Sequence, residues 1–378
     1  MKKKSKKHSI QLKRIFKFTL VGAAGLILAL VLASILSNQF LPSAPDDLQH
    51  LSRQIVVHTS EALNLLGNLG SKVWPGFNAD LPIIIWNEET AFLINYPDPL
   101  PGWEQMTDHT INGLPVYNQP NMKPYQAFTE VLPNGDYAGS MATKNAMNRE
   151  FIKLFKHNLP PIINQIFPYR LLLHSTDFYL TTLVHETFHA YQAENYPSKF
   201  EDVEKAYSKH SAYEGVFKGM ADAWAAEIKC LQKALKEENQ AERASLVYEF
   251  LEIRTDRRKA AGLTPNLELY EKRFEWLEGS TKYVELEVWE NAASGAYHPA
   301  KSILQDQDFH SYQGYENRWK TELKNMERAA KNGGETLFYY TGMLQARLLD
   351  DLLPGWKSQM GDPEVWLEDL LREAVSSL

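Results

Sequence analysis

The sequence holds a single cysteine, Cys230, among 378 residues. No intrachain disulfide can form, and no cysteine cluster can bind a metal. It holds no Asn-x-Ser/Thr sequon, which favours a bacterial cell surface over a eukaryotic secretory route. There is no internal repeat, and no low-complexity tract beyond the basic first residues. Excess positive charge is lacking too: 40 Lys and Arg face 47 Asp and Glu, a net charge of −7. Eight of those cations lie in the first 17 residues, so the other 32 face all 47 acids, a balance of −15. That argues against a nucleic-acid partner, which would want a basic face.

What is present points to a packed body. The chain is 44% hydrophobic and carries 9 Trp, 18 Tyr and 17 Phe, enough apolar surface to exclude intrinsic disorder. Its first forty residues stand apart. The basic stretch MKKKSKKHSIQLKRIFK (1–17) is followed by FTLVGAAGLILALVLASIL (18–36), nineteen residues without a charge. At about 1.5 Å per residue, a helix of that length nearly spans a ~30 Å hydrocarbon layer. It is longer than the h-region of a cleaved signal, which runs about 7–15 residues, and its exit has no A-x-A site. The expectation is an uncleaved signal-anchor at 18–36, in contact with the lipid bilayer. Residues 1–17 are then cytoplasmic and the rest of the chain faces outward. Residues 37–50 read as a short stalk, and 51–378 as one domain.

Within that domain, 51–70 suits one amphipathic helix, and 81–142 alternates short β-prone runs (LPIIIW, AFLIN) with turns such as Pro-Asn-Gly. After 145 the apolar spacing is helical, over 145–158, 177–194, 201–236, 241–260, 266–291, 314–331 and 335–352. Gly262 and Pro265 mark a helix stop and the next start. The fold class is therefore α+β and predominantly α-helical, with a small antiparallel sheet and a large helical body.

One helical stretch carries chemistry: LTTLVHETFHAY, residues 180–191. His185 and His189, four apart, share one face and can reach one ion. Glu186 projects beside them, where a carboxylate can act as general base toward a water activated by the metal. Catalytic zinc takes three N/O ligands and keeps a fourth position open, so Zn²⁺ is the expected cofactor. Asp177 or Thr176 is expected to N-cap the helix, and Asn195-Tyr196-Pro197 to end it. The longer H-E-x-x-H-x-x-G-x-x-H motif is excluded, because Gln192 and Asn195 occupy its Gly and His positions. Two glutamates can supply the third ligand: Glu278 in RFEWLEGSTKYVE, next to the small Gly279 and Ser280, and Glu214 in YEGVFKG.

HETFHAYQ followed by WLEGSTKYVE resembles the gluzincin metallopeptidases, among them the glycyl aminopeptidases and related membrane-anchored peptidase-like proteins. The resemblance implies a zincin-like catalytic domain that cleaves a peptide or protein substrate. It implies Glu278 as third ligand, with Tyr283 as the aromatic that follows it in the motif. Glu285, seven residues beyond Glu278, then becomes a carboxylate able to hold a ligand histidine. Glu278 lies 89 residues beyond His189, so the interval is a helical insertion. Gly139-Ser140-Met141-Ala142 is similar to the aminopeptidase strand motif without its Glu. Gluzincins often steady the oxyanion with a Tyr or His from a later helix, which here offers Tyr339 or Tyr340, with His298 as a further candidate. Arg254 and Arg258 offer a substrate-carboxylate site or a solvated basic face. Two other functions fit the same residues: a non-catalytic membrane-anchored binding ectodomain, and a zinc hydrolase of a non-peptide amide or ester.

Overall fold

The computed structural model describes residues 23, 25–42, 48–121, 128–217 and 219–376. The expected cytoplasmic segment 1–17 lies outside the described residues, as do 18–22 and 24 of the expected anchor and 43–47 of the expected stalk. Residues 25–38 are helical. Among the described residues no helix is long and apolar enough to cross a membrane.

The expected single domain over 51–378 is divided. The described part of 1–47 groups with 143–174, and 48–142 groups with 175–378. In the larger unit, α1 (Arg53–Leu65) runs into a π-turn at Leu66–Gly70. Six described strands follow: β1 (Ile83–Trp86), β2 (Thr90–Ile94), β3 (Glu104–Ile111), β4 (Leu114–Pro120), β5 (Phe128–Val131) and β6 (Tyr137–Ala142). They form one sheet in the order β3-β4-β2-β1-β6-β5. The sheet is mixed, not antiparallel as expected, because β6 runs parallel to β1 with Ile83 opposite Gly139. The β5–β6 hairpin turns at Gly135, whose φ of +96° suits only glycine well. That hairpin returns the chain to the side of β1 that β2 leaves open.

The uninterrupted apolar runs of β1 and β2 follow from burial on both faces. Ile84, Ala91 and Leu93 pack with Leu100, Trp103 and Tyr117 on one face. Ile83, Ile85, Phe92 and Ile94 are buried as well.

The smaller unit holds α2 (Lys144–Asn158) and α3 (Pro161–Ile166). The helical body of the larger unit opens with α4 (Thr176–Asn195), α5 (Pro197–Ala206), α6 (His210–Phe217), α7 (Ala221–Lys236) and α8 (Gln240–Ala260). The run expected over 201–236 is thus three helices, broken at Tyr207–Lys209 and at Gly219-Met220. Then come α9 (Pro265–Phe274), a π-turn at Glu275–Gly279, α10 (Ser280–Ala293), α11 (Tyr315–Asn332), α12 (Thr336–Leu352) and an unexpected α13 (Leu367–Ser376).

The helix that carries the histidines is a core helix. Sixteen of the 20 residues of α4 are buried, so it has no solvent face and reads as only weakly amphipathic. Its N-cap is Ser175, whose hydroxyl accepts from Phe178 N at 3.2 Å, one residue before the expected caps. Asp177 instead accepts from the backbone N–H groups of His310 and Tyr312, across the loop after α10. Strands β5 and β6 pack on α4. A Cβ at Gly139 would stand 2.7 Å from Thr187 Cα, so only glycine lets β6 lie this close to the motif.

Candidate metal centre

The centre is built by two elements far apart in sequence. Helix α4 supplies His185 and His189, and the π-turn before α10 supplies Glu278. The turn presses against α12 backbone to backbone: a Cβ on Gly279 would lie 2.4 Å from Gly342 Cα, and one on Gly342 would lie 2.4 Å from Glu275 O. A single-turn π-bulge adds a residue to a helix and re-aims the side chains beyond it, a device frequent at functional sites.

Glu278 Oε2 stands 3.3 Å from His189 Nε2 and 3.7 Å from His185 Nε2. All three candidate ligand atoms lie within 4.8 Å of one another. The three residues are only 5%, 1% and 3% exposed, in the order His185, His189, Glu278. Despite that burial, Glu278 Oε2 has no hydrogen-bond partner. A buried carboxylate oxygen that faces two imidazoles without a hydrogen bond to either is costly. Ligand atoms around a tetrahedral zinc, each about 2.0–2.2 Å from it, stand roughly 3.3–3.5 Å apart. The donor set therefore fits a divalent cation, and zinc suits two imidazoles and a carboxylate. Glu214 is exposed on α6 and takes no part in the group, so the geometry selects Glu278 between the two sequence candidates.

Each imidazole is held from behind. His189 Nδ1 is 3.0 Å from Gln192 Oε1. Gln192 in turn donates Nε2 to Trp276 O, Leu277 O and Ser280 Oγ at 3.1, 3.3 and 3.1 Å. One amide thus ties the motif helix to the turn that carries Glu278. His185 Nδ1 stands 3.2 Å from Glu285 Oε2, an ion-pair distance without hydrogen-bond alignment. Glu285 is fixed by Lys282 Nζ at 2.7 Å and Arg318 Nη2 at 3.2 Å. Such outer partners orient imidazoles so that the inward nitrogen faces the ion.

Titration in the pocket is far from ordinary. Burial lowers the His185 imidazole, but Glu278, Glu285 and Glu186 outweigh it and carry it up to about 9. Burial lowers His189, against the opposing pull of Glu278. Burial also raises Glu186 to about 8; His185 opposes the rise, while Glu278 and Glu285 add to it. Glu186 forms no hydrogen bond or ion pair with any described residue. Two cations, Lys282 and Arg318, are shared between Glu285 and Glu322, so those four charges cancel. Near neutral pH the raised His185 offsets Glu278 and burial keeps Glu186 protonated; a dication in place of the His185 proton would favour the ionised forms of both carboxylates.

Tyr339 and Tyr340 part company. Tyr339 stacks on His185, with centroids 5.7 Å apart and planes 8° from parallel. Burial and the Glu278 carboxylate hold its phenol well above the ordinary value. Tyr340 points away and donates to Glu322 Oε2 at 2.8 Å. It belongs to the ionic network behind Glu285, and its expected place beside the reacting centre is corrected. The register is set by Gly342, one turn beyond Tyr339, which brings α12 against the π-turn. Phe128 of β5 covers the other imidazole, 4.6 Å from His189. Tyr207, partly exposed, is raised by burial first and then by the charges of Glu278 and Glu335.

Other expected residues lie elsewhere. Tyr283 donates to Asp350 Oδ2 at 2.6 Å and accepts from Lys357. His298 is exposed after α10. Arg254 and Arg258 are neither solvated nor open to a substrate. With Arg257 they are buried among Glu227, Glu271, Glu275 and Glu368. Gln192 and Arg318 were not legible as site residues, because their partners come from α10 and the turn before it. Compared with known protein families, curated proteins and solved structures, the chain matches none.

Proposed function

We propose that the protein is a zinc-dependent hydrolase, a gluzincin-like metallopeptidase held at the membrane by residues 18–36 with its catalytic body on the outer face. The observation that carries the reading is the buried Glu278 Oε2, which makes no hydrogen bond and faces His185 Nε2 and His189 Nε2, with Glu186 next to them. His185, His189 and Glu278 would hold the ion. Zinc bound there supplies Lewis acidity, which polarises a carbonyl and makes a water acidic near neutral pH.

The chain's own groups supply the rest. With a dication on the neighbouring ligands to favour its ionised form, the Glu186 carboxylate would take a proton from the attacking water and pass it to the leaving amine nitrogen. The Tyr339 hydroxyl, held protonated, is a donor for the oxygen that gains charge during attack. Gln192 and Glu285 keep the two imidazoles oriented. Phe128 and Tyr339 shield the ring faces from water. The membrane part of the reading rests on the eight cations of residues 1–17 and the uncharged nineteen residues that follow.

The test is Glu186→Gln in the full chain, assayed with a mixed peptide library by mass spectrometry. Zinc should be retained while cleavage falls by about 10²–10⁴. Undiminished cleavage by that variant would reject the assignment of the base, and no cleavage by the zinc-loaded wild-type protein would reject the peptidase reading.

A further inference from the structure

Exposed apolar side chains are not spread evenly. Of 18 large hydrophobic residues exposed among the described residues, 14 lie in residues 26–40 and 151–171, within the smaller unit. Clustered exposed apolar side chains are a mark of interaction sites. The first group belongs to the expected anchor, and the second has no such account. On α2, Phe151, Leu154 and Phe155 share one face at i, i+3 and i+4, while Ala146, Asn148 and Ile152 are buried. Helix α3 buries none of its residues and leaves Ile162 77% exposed. Leu171, in the 3₁₀ turn that follows, is 82% exposed.

The charge on this segment runs against the rest of the molecule. Residues 143–174 carry five Lys or Arg against the single acid Glu150, a balance of +4. Residues 48–142 and 175–378 together carry −17 of the total −7. The segment is also tied to the apolar N-terminal helix. Ser34 Oγ donates to Ile166 O at 2.6 Å and Asn38 Nδ2 to Phe167 O at 2.8 Å, while Tyr169 N donates to Asn38 Oδ1 at 3.1 Å.

We propose that residues 151–171 are a second membrane contact, a shallow foot lying in the headgroup–acyl boundary of an anionic bilayer beside the anchor. Apolar side chains on one face with Lys and Arg at the rim are the pattern of helices that lie in the interface instead of crossing it. Basic residues there are attracted to anionic headgroups. The foot rests on the reading that residues 18–36 enter the bilayer, and it adds a second attachment that fixes the smaller unit at the lipid surface.

The experiment uses the full chain with Cys230→Ala and one new cysteine at a time: Leu28→Cys, Ile162→Cys, Leu171→Cys or Leu304→Cys. Each carries an environment-sensitive fluorophore and is reconstituted into phosphatidylcholine–phosphatidylglycerol vesicles with spin-labelled lipid. Labels at 28, 162 and 171 should lose about half or more of their emission to the lipid quencher and resist aqueous iodide, while 304 should do the reverse. Lipid quenching at 28 with iodide access at 162 and 171 overturns the foot and leaves the anchor standing. No lipid quenching at 28 removes the anchor and the foot together. Protection of 162 and 171 from both quenchers, with cross-linking between copies, assigns the patch to self-association and overturns the foot.

Discussion

Two buried clusters of charge lie in the same helical body and end differently. In one, Arg254, Arg257 and Arg258 of α8 meet Glu227, Glu271, Glu275 and Glu368 from α7, α9, the π-turn and α13. Arg254 donates to Glu275 through both terminal nitrogens at 2.9 and 2.6 Å and to Glu227 through Nε at 3.0 Å. Arg258 takes Glu368 at 3.0 and 2.8 Å. Every carboxylate there faces a guanidinium, and the arginines hold Glu271 down at about 2 although burial alone would raise it. In the other cluster, Glu278 Oε2 and His185 Nδ1 lack hydrogen bonds, and Glu186 rises to about 8. Buried charge is tolerated when its partners are complete. The first cluster is complete with protein groups alone, and so reads as structure. The second becomes complete with a dication, and so reads as a site.

The π-turn Glu275–Gly279 joins the two: Glu275 at its start is gripped by Arg254, and Glu278 near its end faces the histidines. The largest expected effect is on the closed cluster. Arg254→Leu leaves three carboxylates short of a partner and should cost about 3–5 kcal/mol of stability, read by denaturant unfolding of the metal-free protein. A smaller loss would mean that water enters the cluster and that its closure is less strict than the comparison holds.

Next is Gly342→Ala, whose Cβ would meet Glu275 O at 2.4 Å. Overpacking of that kind costs typically about 1–3 kcal/mol. Because it pushes α12 off the π-turn, it should also weaken zinc binding, a coupling that calorimetric titration of the variant with zinc would show. Tyr339→Phe removes one hydroxyl donor and should lower kcat by about 10²–10³ with little change in stability, while Tyr340→Phe should leave kcat nearly unchanged. Equal losses from the two variants would erase the distinction between them.

The smallest effect is on pH dependence. In the chelated protein His185 is raised from its ordinary 6.5 to about 9, so its contribution is full below about pH 6.5 and is lost as pH rises through 9. Glu186, raised to about 8 mainly by burial, destabilises the fold increasingly as pH climbs from about 4.5 to 8. Both have the same sign, so chelated protein should melt at a lower temperature at pH 9 than at pH 6.5, and zinc should remove most of that difference. A flat profile would mean that neither His185 nor Glu186 is shifted in the chelated protein.

Much of this was legible in the residues. HETFH on a capped stretch ending at Tyr196-Pro197 sufficed for α4, and Gly279 beside Glu278 pointed to a close helix contact, which Gly342 completes. The arginines of EIRTDRRK misled because their four partners are scattered from 227 to 368, and no local pattern separates a buried Arg from a solvated one. Gln192 was invisible for a similar reason. Its role depends on carbonyls at 276 and 277 that only the π-turn turns toward it. Tyr339 and Tyr340 are adjacent in sequence, and only the helix register fixed by Gly342 tells which ring covers His185. The parallel placement of β6 was likewise beyond the local strand pattern, since β1 and β6 pair directly but are separated in sequence by β2 to β5.

The most direct test of the contrast is the zinc content of the purified full chain, measured by plasma mass spectrometry after exhaustive dialysis. One zinc per wild-type chain, retained in Glu186→Gln and in Arg258→Lys but lost in His185→Ala, His189→Ala and Glu278→Ala, is the predicted result. No zinc in the wild type, or zinc unchanged in Glu278→Ala, would contradict it.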